Sequence, residues 1–418
     1  MHGPPDPTFD HIRAYIGDAV ACGIRSSRSH AKGTIMPTLP DFRLETFFSR
    51  WEFAARYHLT ASDAQTMSLA ELLALADDDA RARWEGLTLG YTETYGMPEL
   101  REAIAATYDG LDAADVLCFA GAEEGIYLAM RVLLDAGDHA VVITPSYQAA
   151  ETLPLDVGEV SGVALRPEDG WALDVDAIEK ALRPNTRLVS VNFPNNPTGA
   201  VPDPEAWRAL VRLCDERGIR LFSDEVYRGL ERDRPPLPQA AELSETALSL
   251  NVMSKAYGLP GLRIGWIASR DRALLGRLER AKHYTSICNS APSEVLALIA
   301  VRAGERILDR NRAIIAGNLP AFDAFFASFP DLFEWAPPQG GCVAYPRYLG
   351  ADGVEEMCRT LVEEEGVLLL PASIYRSDLT PVPADRFRVG IGRRDPQRAL
   401  DVWAGWLDRR LARVAGPT

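Results

Sequence analysis

An α/β fold, with helices on both faces of a mostly parallel sheet and a smaller α+β domain following it, is what this chain predicts from three observations. Six short apolar runs of four to eight residues recur through its middle. Stretches with helical spacing separate them, and Gly, Pro, Ser or Asp closes each run. Runs apolar at nearly every position suit strands buried on both faces, as strands of parallel sheets are. Alternation of strand, helix and strand implies right-handed crossovers within one sheet.

Residues 1 to about 40 come first, with Pro4, Pro5, Pro7, Pro37 and Pro40 around the polar stretch RSSRSHAKG, and read as an irregular arm. VLCFAG, HAVVITP, RLVSVNFP, IRLFSDEV, LSLNVMS and RIGWIAS then follow as strands. Among the helices between them, PEAWRALVRLCDERG puts Ala206, Trp207, Leu210, Val211 and Cys214 on one face. Asp203 stands where a cap is needed, Pro204 in the first turn, and Gly218 at the stop. RILDRNRAIIAGNLPAFDAFFASF predicts a long connecting helix, and CVAYPRY, GVLLLP and FRVGIG predict the short strands of the second domain. The expected division is 1–60 for the arm and part of the small domain, 61–309 for the large domain, and 310–418 for the rest of the small one.

Composition excludes several classes of function. At 418 residues and 47% hydrophobic content the chain is globular, and 44 Lys+Arg against 59 Asp+Glu leave a net charge of −15. No basic face is expected for nucleic acid or an anionic membrane. No apolar run approaches the ~20 residues of a membrane span, and MHGPPDPTFD has no basic segment followed by an apolar one, so the expected location is the cytoplasm. Cysteines 22, 118, 214, 288, 342 and 358 are scattered without a C-x-x-C pair, which predicts neither a disulfide framework nor a zinc site, and no metal is expected. Only four of the 44 bases are lysines: Lys32, Lys180, Lys255 and Lys282.

Ligands of open α/β sheets lie beyond the carboxyl ends of the strands. SVNFPNNPTGAV runs there into the turn Asn195-Asn196-Pro197-Thr198-Gly199. IRLFSDEVYRG ends a strand at Asp224, with Tyr227 three residues on. MSKAYGLPGLRIGW puts Lys255 directly after an apolar run and Arg263 eight residues later. A desolvated lysine near positive charge keeps an accessible neutral amine, the requirement for a Schiff base. VLCFAGAEEGIYLAM is a strand, a turn at Gly121 and a helix, whose first amides suit an anion.

With these motifs in this order, from roughly residue 60 to 395, the chain resembles the class I/II aminotransferases, the fold type I enzymes that use pyridoxal 5'-phosphate. The resemblance implies that Lys255 forms the Schiff base and moves a proton between the substrate α-carbon and the cofactor. It implies that Asp224 pairs with the pyridine nitrogen, that Tyr227 and Asn196 bond the phenolic oxygen, and that Tyr147 in ITPSYQ stacks on the ring. The amides of Ala122 and Glu123 and the guanidinium of Arg263 would hold the phosphate. Tyr91 in GYTETYGMPELRE would reach the phosphate of a neighbouring subunit, making a homodimer. Arg388 in RFRVGIG would hold the substrate α-carboxylate.

The chain also departs from the family pattern. Val252 stands where many relatives carry a phosphate-binding serine, which makes Ser254 a candidate substitute. LTASDAQTMSLAELL replaces the usual Gly-x-Pro stretch, so Thr60, Ser62 and Asp63 become candidate substrate contacts. SKAYGLPGLR, PQGGCVAYPRY and GVLLLP resemble the subgroup containing capreomycidine synthase, whose reaction is the cyclisation of a hydroxylated arginine. The resemblance therefore implies amino-group transfer from an α-amino acid to a 2-oxo acid, with elimination, cyclisation or oxidation in specialised metabolism as the alternative. A DNA-binding regulator built on the same fold would need a helix-turn-helix pattern, which the N-terminal stretch lacks.

Overall fold

The computed structural model describes residues 39–415; the predicted arm over 1–38, with Lys32 and Cys22, lies outside them. All six predicted runs form strands of one seven-stranded sheet. Its order in space is Val116–Phe119, Gly265–Ala268, Leu248–Val252, Arg220–Asp224, Thr186–Asn192, His139–Thr144 and Glu159–Ala164. Six strands run parallel, and Gly265–Ala268 alone is antiparallel to both its neighbours. That reversal has a local cause. A parallel return needs a crossover of a dozen or more residues, usually a helix, whereas the Val252-to-Gly265 connection holds only a short 3₁₀ turn at Pro260–Leu262. Lys255 and Arg263 thus sit in one connecting loop, at the edge where the parallel strands end.

The seventh strand, Glu159–Ala164, was not among the predicted runs. It lies at the sheet edge and buries only Val163 fully, so it lacks the apolar signature of its neighbours. The helix Pro204–Glu216 follows its prediction closely: Asp203 Oδ1 accepts from the amides of Glu205 and Ala206, Pro204 opens the first turn, and Gly218 has φ +63°. Trp207, Leu210, Val211 and Cys214 are buried on its inner face, where they pack with Val189, Val191 and Leu221 of the sheet.

Helix Gly304–Ala327 leads from the sheet toward the C-terminal strands, and position 309, the expected division, lies within it. Beyond it Val343–Ala344, Phe387–Gly390 and Leu370–Pro371 make a three-stranded antiparallel sheet. An aromatic cluster of Phe325, Phe326, Phe333, Phe387 and Trp403 anchors that sheet to the long helix. Tyr57–His58 pairs in parallel with Val367–Leu368, and the Gly390 amide donates to Leu59 O at 2.8 Å. Residues 57–63 therefore enter the site from the C-terminal strands. Among the described residues, no helix is long and apolar enough to cross a membrane.

Candidate active site

Strand ends build the site because each turns sharply where the sheet stops. A cavity of about 240 Å³ at that edge is lined by Ala122, Glu123, Tyr147, Asn196, Asp224, Tyr227, Ser254, Lys255 and Arg263. Nine of the eleven predicted residues thus meet in one space. Arg388 and Tyr91 stand outside this lining, for different reasons. Arg388 is wholly buried behind Asn196, with Nη1 donating to Asn196 Oδ1 at 3.1 Å and to Tyr375 Oη at 2.6 Å, and Nη2 to Thr60 O at 2.7 Å. No carboxylate pairs with it among the described residues, and its Nε has no partner. Tyr91 is 94% exposed.

An anion cradle occupies one end of the cavity. Helix Ala122–Leu133 starts at Gly121 with no side-chain cap, leaving first-turn amides free to bind an anion. Gly121 has φ +93°, and a Cβ there would lie 2.5 Å from Arg263 Nη2. Only glycine lets the guanidinium close against the helix end. Arg263 Nη1 donates to Ser254 Oγ at 3.2 Å, which puts a hydroxyl beside the guanidinium, while Val252 is buried.

The opposite end holds acids and the lysine. Asp224 accepts from the Val226 amide at 3.2 Å and has no ion pair among the described residues; burial pushes its carboxyl up to about 6. Burial also lowers the Lys255 amine from its ordinary value, against the raising influence of Asp63. Its Nζ donates to Ser62 Oγ at 2.8 Å. Tyr227 Oη is buried without a hydrogen-bond partner, and burial raises its hydroxyl. Burial and the neighbouring Glu45 push Glu123 up to about 7.

The other described lysines are poor candidates for the same role. Lys180 is exposed on the helix Val175–Ala181. Lys282 is wholly buried and donates to Thr94 O at 2.6 Å and Cys118 O at 2.8 Å, so its amine is already engaged.

Five contributors, Leu44, Glu45, Phe48, Asn192 and Tyr375, were not read from the sequence. Leu44, Glu45 and Phe48 reach the cavity from the helix Arg43–Trp51. Their i, i+4 spacing, continued by Trp51, is the amphipathic signal that would have found that helix. Asn192 orients the motif turn: its Oδ1 accepts from the Asn196 amide at 2.8 Å and its Nδ2 donates to Asp224 O at 3.1 Å. Tyr375, which bonds both Asn196 and Arg388, has no local motif around it.

These residues fit pyridoxal 5'-phosphate on the structure's own terms: an anion cradle, an uncompensated buried carboxyl, an unpartnered phenol and a desolvated amine share one cavity. The family model "Aminotransferase class I and II" matches residues 59–399. The chain is 31% identical over 380 residues to capreomycidine synthase of Streptomyces vinaceus, covering 90% of this chain and 93% of that protein. It is 28% identical over 315 residues to aspartate aminotransferase of Geobacillus stearothermophilus, covering 72% and 79%. Among solved structures, a PLP-dependent aminotransferase from Streptococcus suis 89-1591 superposes with a TM-score of 0.82 at 29% identity, over 90% of this chain and 99% of that one. The PLP-dependent cyclase OrfR does so with a TM-score of 0.81 at 27% identity, over 90% and 100%.

Proposed function

The chain belongs to the class I and II aminotransferase family and uses pyridoxal phosphate, and from that premise we propose that it removes the amino group of an α-amino acid through Lys255. The observation that carries this reading is the presence, in one cavity, of a desolvated Lys255 amine and a buried Asp224 carboxyl that makes no salt bridge among the described residues. When bound, the cofactor supplies an electron sink for the substrate α-carbon, provided its ring nitrogen stays protonated. Asp224 would hold that proton in place, and Asn196 and Tyr227 would donate to the ring hydroxyl. Tyr147 would cover the ring face, while the amides of Ala122 and Glu123, Ser254 Oγ and Arg263 would hold the phosphate. Lys255 Nζ would take the proton from the substrate α-carbon and return it elsewhere. Arg388, a buried cation with no counter-ion among the described residues, would receive the α-carboxylate; a buried charge of this kind calls for a partner.

Borohydride treatment of the purified, yellow protein is expected to fix the cofactor on Lys255. A peptide map carrying the adduct at Lys180 or Lys282 would refute the assignment. Gly121→Ala is expected to weaken cofactor binding at least tenfold, since the Cβ displaces Arg263 from the cradle, and to cost about 1–3 kcal/mol of stability through its strained φ. Titration of the cofactor-free variant by absorbance checks it. The exposure of Tyr91, with Leu89 two residues before it also exposed, supports a homodimer in which Tyr91 reaches the neighbouring phosphate. Tyr91→Phe should then weaken phosphate-end binding in the dimer only.

A second reading, elimination or cyclisation of an amino acid with a cationic side chain, has its own support. A side pocket of about 570 Å³ adjoins the cavity and is lined by Glu45, Glu52 and Asp63 among others. Asp63 pairs with Arg393 at 2.7 Å, whereas Glu45, Glu52 and Glu123 carry no ion pair among the described residues. Glu45→Gln is expected to raise KM about tenfold for a cationic amino acid and leave an uncharged one unchanged. Incubation with candidate amino acids and no acceptor separates the reactions by product mass. A released 2-oxo acid indicates amino-group transfer, and loss of water or ammonia with the carbon skeleton retained indicates elimination or cyclisation.

A further inference from the structure

Ser62 is the hydrogen-bond partner of the Lys255 amine, accepting from Nζ at 2.8 Å. It lines both the cofactor cavity and the acidic side pocket, so its hydroxyl stands where the two join. The backbone holds it there from three directions. The Ala64 amide donates to Lys255 O at 3.1 Å. Gly258 lets the 64–65 backbone press on the lysine loop, since a Cβ there would lie 2.7 Å from Gln65 O. On the far side, Thr60 O accepts from buried Arg388, and Asp63 is fixed by Arg393. Ser62 is therefore clamped between the lysine loop and the arginine that faces the α-carboxylate position. Tyr227 Oη, buried without a bond of good geometry, has Ser62 as a polar neighbour.

We propose that Ser62 is a positioning residue for Lys255: its Oγ accepts from the ammonium formed when Nζ takes the substrate α-proton, and so fixes the amine on the face from which it returns that proton. The proton passes from the substrate to Lys255, and the electron pair it leaves behind stays on the substrate, delocalised into the sink that the bound cofactor would supply. The Cα–H bond breaks, an N–H bond forms at Lys255, and the Ser62 hydroxyl keeps its own proton while lending a lone pair. A serine that only filled space would leave the amine free to turn toward solvent in the side pocket, where a proton taken from the substrate would be lost.

This rests on the proposed role of Lys255, and the test separates the two. Reductive ¹³C-methylation of the full chain without cofactor labels its few lysines, and a Lys255→Met control identifies the Lys255 resonance. In Ser62→Ala the Lys255 amine should titrate lower by about one pH unit, because a hydrogen bond to the charged form has been removed. With cofactor bound, kcat should fall about tenfold to a hundredfold with KM within twofold, and substrate α-deuterium should wash out to solvent faster than in wild type. Ser62→Thr, which keeps the Oγ, should restore both the titration and kcat. An unchanged titration with kcat intact, or a rise in KM alone, would overturn the proposal while borohydride still traps cofactor on Lys255. Loss of that trapping in the wild type would overturn the Lys255 reading instead. If Ser62→Ala does not fold, the same titration in Ser62→Gly decides, with an unshifted amine counting against the proposal.

Discussion

Lys255→Ala is expected to lower turnover by about a thousandfold or more while the protein still folds and still binds the cofactor. General acid–base catalysis by one placed group contributes on the order of 10²- to 10⁴-fold, and no described side chain can take over. Lys282 is locked onto two backbone carbonyls, Ser62 is an alcohol, and burial holds the Tyr227 phenol protonated. Binding survives because the anion cradle at Gly121, Ser254 and Arg263 does not involve the lysine. Single-turnover rates with and without added methylamine check this. Recovery by the external amine is the expected result, and turnover within tenfold of wild type would remove Lys255 from the chemistry.

Asp224→Ala should cost about as much, through charge in place of proton transfer. Opposite charges ~4 Å apart at an effective dielectric of ~20 attract by roughly 4 kcal/mol, which moves the ring nitrogen's pKa by on the order of three units. The variant is expected to hold cofactor yet react about a thousandfold slower, and Asp224→Glu should recover part of the rate. Full turnover in the alanine variant would dismiss the role. The same carboxyl predicts a pH effect on folding. Its folded pKa of about 6 lies above the ordinary 3.8, so its neutral form is favoured by the fold. Its contribution to stability is present below about pH 4 and lost as pH rises through about 6. Glu123, at about 7, acts in the same direction over a slightly higher window. Thermal midpoints of cofactor-free Asp224→Asn should therefore exceed those of cofactor-free wild type near pH 7, and the two should converge toward pH 4. A variant less stable at pH 7 would contradict the assigned environment.

Most of the large sheet was legible because parallel strands advertise themselves, and the nine predicted residues that line the cavity were legible through the resemblance of the motifs at the ends of those strands. Their runs are apolar throughout, and the residues that break them, Asn195-Asn196, Asp224 and Lys255, are the ones the sheet edge exposes to a ligand. Glu159–Ala164 escaped because five of its six residues are exposed or only partly buried and it carries no apolar run, unlike Val116–Phe119, the fully buried strand at the other edge. Arg388 was legible by motif, but its burial behind Asn196 and Tyr375 depends on segments 179 and 192 residues apart in sequence meeting in space. Ser62 was visible only as a departure from a familiar pattern. What joins it to Lys255 is the parallel pairing of Tyr57–His58 with Val367–Leu368, a contact between residues about 310 apart that no local spacing announces.

The seclusion of Lys282 bears on chemical economy across the whole molecule. A carbonyl reagent condenses with any accessible amine, and proteins usually present many. Here 40 of the 44 bases are guanidinium groups, which stay protonated, and one of the few amines is sealed beneath backbone oxygens. The surface charge needed for solubility is thus carried by groups inert to aldehydes. A cofactor that is itself an aldehyde meets few competing amines on its way to Lys255, exposed Lys180 being one of them among the described residues.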